Sequence, residues 1–140
     1  MTTHSAYGEI ERDGAIKAGG DLPTRYPNAY FRSLGHVSLC DLRSVSDDQV
    51  KLALDRWDFL NPEGDRASPA FLFLDDDAFS RLVSGKKQLE DRDLYKLVVP
   101  YIEAGYPGDI PLDLIREALL VTVNHPPPGE WLRALRSRAR

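Results

Sequence analysis

The chain has 140 residues, of which 42% are hydrophobic and 29% are charged, and its formal net charge is −4. This length fits one domain with a normal core, and the negative charge argues against a protein that binds nucleic acid over its whole surface. The single cysteine, Cys40, excludes an internal disulfide and a multi-cysteine metal site. Because Cys40 lies in a β-type run, we predict a buried structural thiol.

The hydrophobic pattern argues against membrane insertion. No apolar run approaches the roughly 18 residues of a membrane-spanning helix, and the first residues lack the basic and apolar regions of a secretory signal. We therefore expect a cytoplasmic protein with no membrane partner. Residues 1–125 are predicted to form a single α+β domain, and residues 126–140 a proline break followed by a basic amphipathic helix.

The first half of the chain is predicted to combine short helices with a strand. Ser5 is expected to cap a short helix that Gly14 ends. Residues 15–35 show no sustained period, and within them AGGDLPTRYPNAY, residues 18–30, is rich in glycine, proline and asparagine and predicts a long loop. Alternation in HVSLCDL, residues 36–42, predicts a half-buried strand. The capping-box motif SDDQ, residues 46–49, predicts the start of a second helix.

The apolar run PAFLFL, residues 69–74, predicts a central strand. The acids at 75–77 are expected to open a short helix that ends at Gly85. A further strand is predicted over residues 94–102, with Glu103 at its end.

A short helix over residues 111–118 and a last strand over 119–123 complete the predicted domain. Because short helices and strands are interspersed, we predict an α+β fold and not a regular doubly wound sheet.

Familiar catalytic and ligand motifs do not occur in the sequence. The three histidines share no metal-ligand spacing, and the acids at 75–77 lack the spacing of a calcium loop, so we predict no metal site. Neither a phosphate-binding loop motif nor GxSxG is present. A dispersed set of candidate residues remains: His4, Arg32, Ser38 and Glu103.

Glu103 is the candidate with the clearest chemistry. A carboxylate where a strand opens into a glycine-rich loop can face a cleft, and there it can stabilise a cationic, oxocarbenium-like centre. A solvated surface acid is the plainer interpretation, because most glutamates are exposed.

The order of three segments resembles the ADP-ribosyltransferase superfamily, in its bacterial or phage-linked, toxin-like branch. These segments are THSAYGEIERDGAIKAGG (3–20), YFRSLGHVSLCDLR (30–43) and YIEAGYPGDIPLDLIREALLVTV (101–123). The resemblance implies a compact ADP-ribosyltransferase-like split sheet with short helices that holds NAD, as substrate, in a cleft between two small sheets.

The same resemblance implies roles for individual residues. Glu103 would stabilise the ribosyl cation as nicotinamide leaves. His4, Ser38, Arg32 and Arg25 would contact NAD. Tyr101 stands where the family commonly has a second acid, which leaves transfer to a nucleobase, transfer to another side chain, or simple NAD cleavage.

Two other interpretations stay open. A non-catalytic interaction or immunity module that binds a cognate protein partner is favoured by the acidic balance. The last eight residues, RALRSRAR, contain four arginines and no acid. They are a candidate for contact with nucleic acid, whose affinity would fall steeply with salt.

Overall fold

The computed structural model describes residues 1–19, 29–56, 68–85, 98–99 and 101–122. Its strands are β1 (Thr2–Thr3), β2 (Ala15–Ile16), β3 (His36–Cys40), β4 (Pro69–Leu74), β5 (Val83–Ser84), β6 (Glu103–Pro107), β7 (Ile110–Pro111) and β8 (Ile115–Leu120). Its helices are α1 (His4–Asp13), α2 (Tyr30–Ser33), α3 (Asp47–Arg56) and α4 (Asp76–Phe79), and a 3-10 turn, Leu112–Leu114, joins β7 to β8.

The described strands form small antiparallel sheets with the orders β1–β4–β8, β2–β7 and β3–β6–β5. This mixture of short helices and antiparallel sheets confirms the predicted α+β class. Within the described ranges, no helix is long and apolar enough to cross a membrane.

Helix α1 begins earlier than predicted, because Thr3 and not Ser5 is its cap. The Thr3 Oγ1 atom accepts a hydrogen bond from the Ala6 backbone N–H at 3.2 Å, whereas the Ser5 hydroxyl is 3.0 Å from the Thr3 hydroxyl. Gly14 ends the helix as predicted. Its φ of +72° is a left-handed conformation that glycine adopts at little cost.

The predicted long loop over residues 18–30 runs from β2 to α2, and among its described residues only the last, Tyr30, belongs to a regular element. Strand β2 pairs with β7, and Asp109 accepts hydrogen bonds from the Lys17 Nζ atom at 2.9 Å and the Ala18 backbone N–H at 2.8 Å. These contacts fix the chain as it leaves β2. Residues 20–28, in the middle of the predicted loop, lie outside the described ranges.

The predicted capping box at the start of α3 is confirmed. The Ser46 backbone N–H donates to the Gln49 Oε1 atom at 3.0 Å, and the Gln49 backbone N–H donates to the Ser46 Oγ atom at 3.4 Å. The helix then packs against the segment that leads into β6. A hydrophobic cluster joins the two: Ala53, Val99 and Ile102, with Val45 and Val50 against them.

Strand β4 lies between β1 and β8, which confirms the predicted central strand. Asp75 caps α4, as expected of the acids there, and its side chain accepts from the Asp77 backbone N–H at 3.2 Å. The predicted helix up to Gly85 was too long. It ends at Phe79, and residues 83–84 form β5 instead.

The prediction of a strand ending at Glu103 was wrong, because β6 begins at Glu103. Strand β6 includes Gly105 and Pro107, which the sequence pattern placed in a glycine-rich loop after Glu103. Gly105 has a packing reason: a Cβ there would come within 2.2 Å of the Phe31 ring. Glycine therefore lets α2 lie directly on the middle of β6. Residues 94–97, the first part of the predicted strand, lie outside the described ranges.

The predicted helix over residues 111–118 was also wrong beyond its first turn. After the 3-10 turn the chain extends as β8, with Leu120 opposite Ala70 and Leu119 opposite Phe71. Pairing with the buried strand β4 thus outweighs the helix propensity of this segment. Residues 123–140, and with them the predicted C-terminal helix, lie outside the described ranges.

One face of the β3–β6 pair contributes to the larger hydrophobic core. Val37 lies opposite Tyr106 and Leu39 opposite Ala104. Both Ala104 and Tyr106 are buried. Because side chains alternate along a strand, Ser38, Cys40 and Glu103 lie on the other face, the polar face, where the buried Phe31 ring packs over Gly105.

Candidate functional site

The polar face of the β3–β6 pair brings two predicted site residues together. Ser38 lies opposite Gly105, and Cys40 lies opposite Glu103. Ser38 and Glu103 therefore share a face of the sheet, diagonally placed. The Ser38 hydroxyl reaches the Glu103 Oε1 atom and donates a hydrogen bond of 2.6 Å.

The second carboxylate oxygen of Glu103 is bonded to its own chain. The Val99 backbone N–H donates to the Glu103 Oε2 atom at 2.6 Å, and the Glu103 backbone N–H donates to the Val99 carbonyl oxygen at 3.2 Å. Side chain and main chain together close the turn over residues 99–103. The carboxylate is thus held at both oxygens, and each oxygen keeps a further lone pair with which it can accept.

The Glu103 carboxylate is buried, at 7% exposed, while Ser38 is exposed. Burial raises the pKa of Glu103, because ionisation in a poorly solvated place is costly; the bonds from Ser38 and Val99 oppose this rise. No ion pair neutralises Glu103 among the described residues. A buried, oriented and unneutralised carboxylate beside an exposed hydroxyl is suited to stabilise a cationic group that approaches from solvent.

Cys40 is exposed, so the prediction of a buried thiol was wrong. Cys40 is the last residue of β3, a strand that lies at the edge of its sheet. It lies opposite Glu103 in the strand register. The β-type pattern around Cys40 identified the strand correctly and does not reveal which of its faces is buried.

An aromatic residue and a histidine border the Ser38–Glu103 pair. The Phe31 ring covers Gly105 and stacks on the His36 ring, with centroids 6.1 Å apart. The His36 Nδ1 atom is buried and finds no hydrogen-bond partner within the described ranges. His36 was not among the predicted site residues. The alternation that places it two positions before Ser38, on the same face, is the signal that indicates it.

The other predicted residues are dispersed. Arg32 is a half-buried residue of α2, which packs against both β3 and β6, so it belongs to the segment that covers the pair. His4 is the first residue of α1, beside the β1–β4–β8 sheet, and its backbone N–H donates to the Ser68 carbonyl oxygen at 3.1 Å. Arg25 lies outside the described residues.

His4 makes no hydrogen bond to Ser38 or Glu103 in the described part of the chain. Its Nε2 atom is buried and has no partner there. Buried polar atoms are normally bonded, so a ligand that accepts from or donates to this nitrogen is one explanation for it. Among the residues described, no three acids, cysteines or histidines group together as metal ligands would.

Comparisons of the chain with models of protein families, with curated proteins and with solved structures find no match. Inferences about function therefore depend on the contacts described above and on the resemblance of the three sequence segments.

Proposed function

We propose that the chain transfers ADP-ribose from NAD to an acceptor, or cleaves NAD, with Glu103 stabilising the ribosyl cation. The observation that carries this proposal is the 2.6 Å hydrogen bond between Ser38 and Glu103. The resemblance implies that these two residues lie beside the same nicotinamide ribose. They come from separate parts of the sequence and meet on one face of a small sheet.

The chemistry needs a carboxylate next to a developing positive charge. The bond between the ribose C1′ atom and the nicotinamide nitrogen breaks, and its electron pair stays on that nitrogen, which becomes neutral. The acceptor then bonds to C1′ through its own lone pair and releases a proton to solvent. Glu103 acts in its ionised form, because an anion fixed near C1′ stabilises the cationic transition state more than the ground state.

The hydrogen bonds to Glu103 supply the orientation that this role requires. Ser38 holds one oxygen and the Val99 backbone holds the other, so no reorganisation is needed as charge develops. In this proposal Arg32 and Arg25 contact the diphosphate of NAD, because guanidinium groups bind phosphates well. His4 contacts a ribose. The two three-stranded sheets are consistent with an ADP-ribosyltransferase-like split sheet.

Calorimetric titration with NAD tests the proposal without knowledge of the acceptor. Wild type is compared with Glu103→Gln and with Glu117→Gln, a matched control that alters an exposed glutamate of β8. We expect all three proteins to bind NAD, because Gln keeps the shape of Glu103 and removes its charge. Its Oε1 atom can accept from the Val99 N–H, and its amide N–H can donate to the Ser38 hydroxyl in reversal of the present bond.

The alternative is a non-catalytic module that binds a protein partner. It predicts that NAD does not bind at millimolar concentration. In that case the role of Glu103 is confined to closing the turn over residues 99–103.

A further inference from the structure

Tyr101 has a main-chain conformation that bulky residues rarely adopt. Its φ is +70°, and among the described residues the other positive φ values belong to glycines. A left-handed conformation of this kind is strained for a residue with a Cβ atom, and it persists only where the surrounding contacts enforce it. The contacts on either side of Tyr101 therefore indicate what the conformation is for.

Tyr101 is held by main-chain anchors on both sides. Val99 and Ile102 are buried in the hydrophobic cluster with Ala53, and the Ile102 carbonyl oxygen accepts from the Asp41 backbone N–H at 2.7 Å. Tyr101 itself is 37% exposed. The left-handed conformation thus follows from the anchored chain at Val99 and Ile102 and not from deep burial of Tyr101.

The turn around Tyr101 directs one donor at the Glu103 carboxylate. The Glu103 backbone N–H donates to the Val99 carbonyl oxygen at 3.2 Å, so the chain doubles back, and the Val99 backbone N–H donates to the Glu103 Oε2 atom at 2.6 Å. A single left-handed residue is a common means of reversing a chain in so short a space. Tyr101 lies midway between the two bonded residues, so its φ governs where the Val99 N–H points relative to Glu103.

We propose that Tyr101 is a positioning residue whose left-handed main chain aims the Val99 N–H at the Glu103 side chain and thereby fixes the direction of the carboxylate. Ser38 holds the other oxygen from β3, so the turn and the strand together fix both oxygens. The role belongs to the main chain at position 101 and needs no tyrosine ring. Its consequence for catalysis rests on the proposed function, in which the oriented anion stabilises the ribosyl cation.

The experiment separates the main chain at position 101 from the ring. Tyr101→Gly removes the ring and tolerates a positive φ, whereas Tyr101→Val introduces a β-branched residue, which adopts this conformation only as an outlier. Phe73→Val is the matched control, because Phe73 is 40% exposed in the strand β4, where valine is accommodated. NMR spectra of each protein without ligand follow the Val99 amide proton shift and the Glu103 carboxyl carbon shift as the pH is varied.

In wild type, Tyr101→Gly and Phe73→Val, we expect the Val99 amide shift to change at the pH where Glu103 titrates, because this N–H donates to the carboxylate. In Tyr101→Val that coupled change should be lost. Retention of the coupling in a folded Tyr101→Val variant overturns the inference. Loss of the coupling in Tyr101→Gly also overturns it, since the ring would then be what holds the turn, and this comparison stands even where Tyr101→Val does not fold.

Nicotinamide release provides the second readout. We expect Tyr101→Val to lower kcat about tenfold or more with little change in KM, as for a misaligned catalytic group, and Tyr101→Gly to match wild type. Equal kcat in Tyr101→Val and wild type overturns the consequence for catalysis. Failure of wild type to bind NAD overturns the proposed function instead, while the coupling of the Val99 amide to Glu103 still decides the positioning role.

Discussion

Ser38 and Glu103 are 65 positions apart in the sequence, and the hydroxyl of one donates a 2.6 Å hydrogen bond to the carboxylate of the other. The antiparallel register of β3 and β6 creates this contact, because it places the two residues diagonally on one face of the sheet. Ser38 is exposed and Glu103 is buried. The effect of their hydrogen bond on the stability of the fold can be tested separately from its effect on catalysis.

Glu103→Gln should make stability less dependent on pH. The folded state raises the pKa of Glu103 above its ordinary value, so this residue's favourable contribution is present below the ordinary pKa and is lost as pH rises through the folded one. At neutral pH the variant should therefore be more stable than wild type, because it avoids the cost of ionising a buried carboxyl group. Urea unfolding of both proteins from acid to neutral pH measures the difference, and parallel stability curves would contradict the prediction.

Ser38→Ala should destabilise the protein by about 1–2 kcal/mol at neutral pH, because one oxygen of a buried carboxylate loses its donor. The loss should shrink at acidic pH, where Glu103 is protonated. Ser80→Ala is the control, since it removes an exposed hydroxyl that donates to the Asp77 carbonyl oxygen. Chemical denaturation at two pH values measures the free energy of unfolding of each variant. Equal losses of stability in Ser38→Ala and Ser80→Ala would show that the bond to Glu103 contributes no more than an exposed hydrogen bond.

Gly105→Ala should destabilise the protein by about 2 kcal/mol or more, because its Cβ would come within 2.2 Å of the Phe31 ring. Phe31→Leu in the same protein should restore part of the loss by making space. Gly8→Ala is the contrasting control: it lies within α1, nothing stands within 4 Å of the new Cβ, and the change should stabilise the helix by up to about 1 kcal/mol. Thermal unfolding measures the change in melting temperature of each variant. Equal changes for Gly105→Ala and Gly8→Ala would refute the packing argument.

Tyr101→Gly should raise the melting temperature, because glycine tolerates a φ of +70°. Relief of the left-handed strain outweighs the entropy cost of glycine by roughly 0.5–1 kcal/mol. Scanning calorimetry of the variant and of wild type provides the test. A drop in melting temperature would mean that the tyrosine ring packs favourably and that the strain argument fails.

Local signals in the sequence predicted several elements correctly. The capping box at Ser46 and Gln49, the helix end at Gly14 and the central strand PAFLFL each depend on neighbours in the chain, and each is found in the structure. Such features are fixed by short-range hydrogen bonds and by hydrophobic pattern. Their presence in the sequence is therefore enough to identify them.

Long-range contacts account for the elements that were predicted wrongly. Gly105 and Pro107 read locally as a break, yet they belong to β6, because the Phe31 ring needs the space above Gly105. Residues 115–118 have the composition of a helix, and their pairing with β4 makes them a strand. No window of sequence around either segment contains its partner.

The candidate site likewise combines features that the sequence predicted with long-range contacts that it did not predict. The chemistry of Glu103 and Ser38 could be predicted from residue type and from the resemblance, but their contact depends on the register of two strands. The pattern also misplaced Glu103, at the end of a strand and not at the start of one. The sequence did not predict that the His36 ring stacks on Phe31, because that contact depends on how α2 packs against β3.

The rate at which nicotinamide is released from NAD tests whether Glu103 stabilises the ribosyl cation. We predict equal rates for wild type and Glu117→Gln, and a rate at least about 100-fold lower for Glu103→Gln, which binds NAD without the charge that stabilises this cation. Release by Glu103→Gln at the wild-type rate, or no release by wild type that binds NAD, would contradict this role of Glu103.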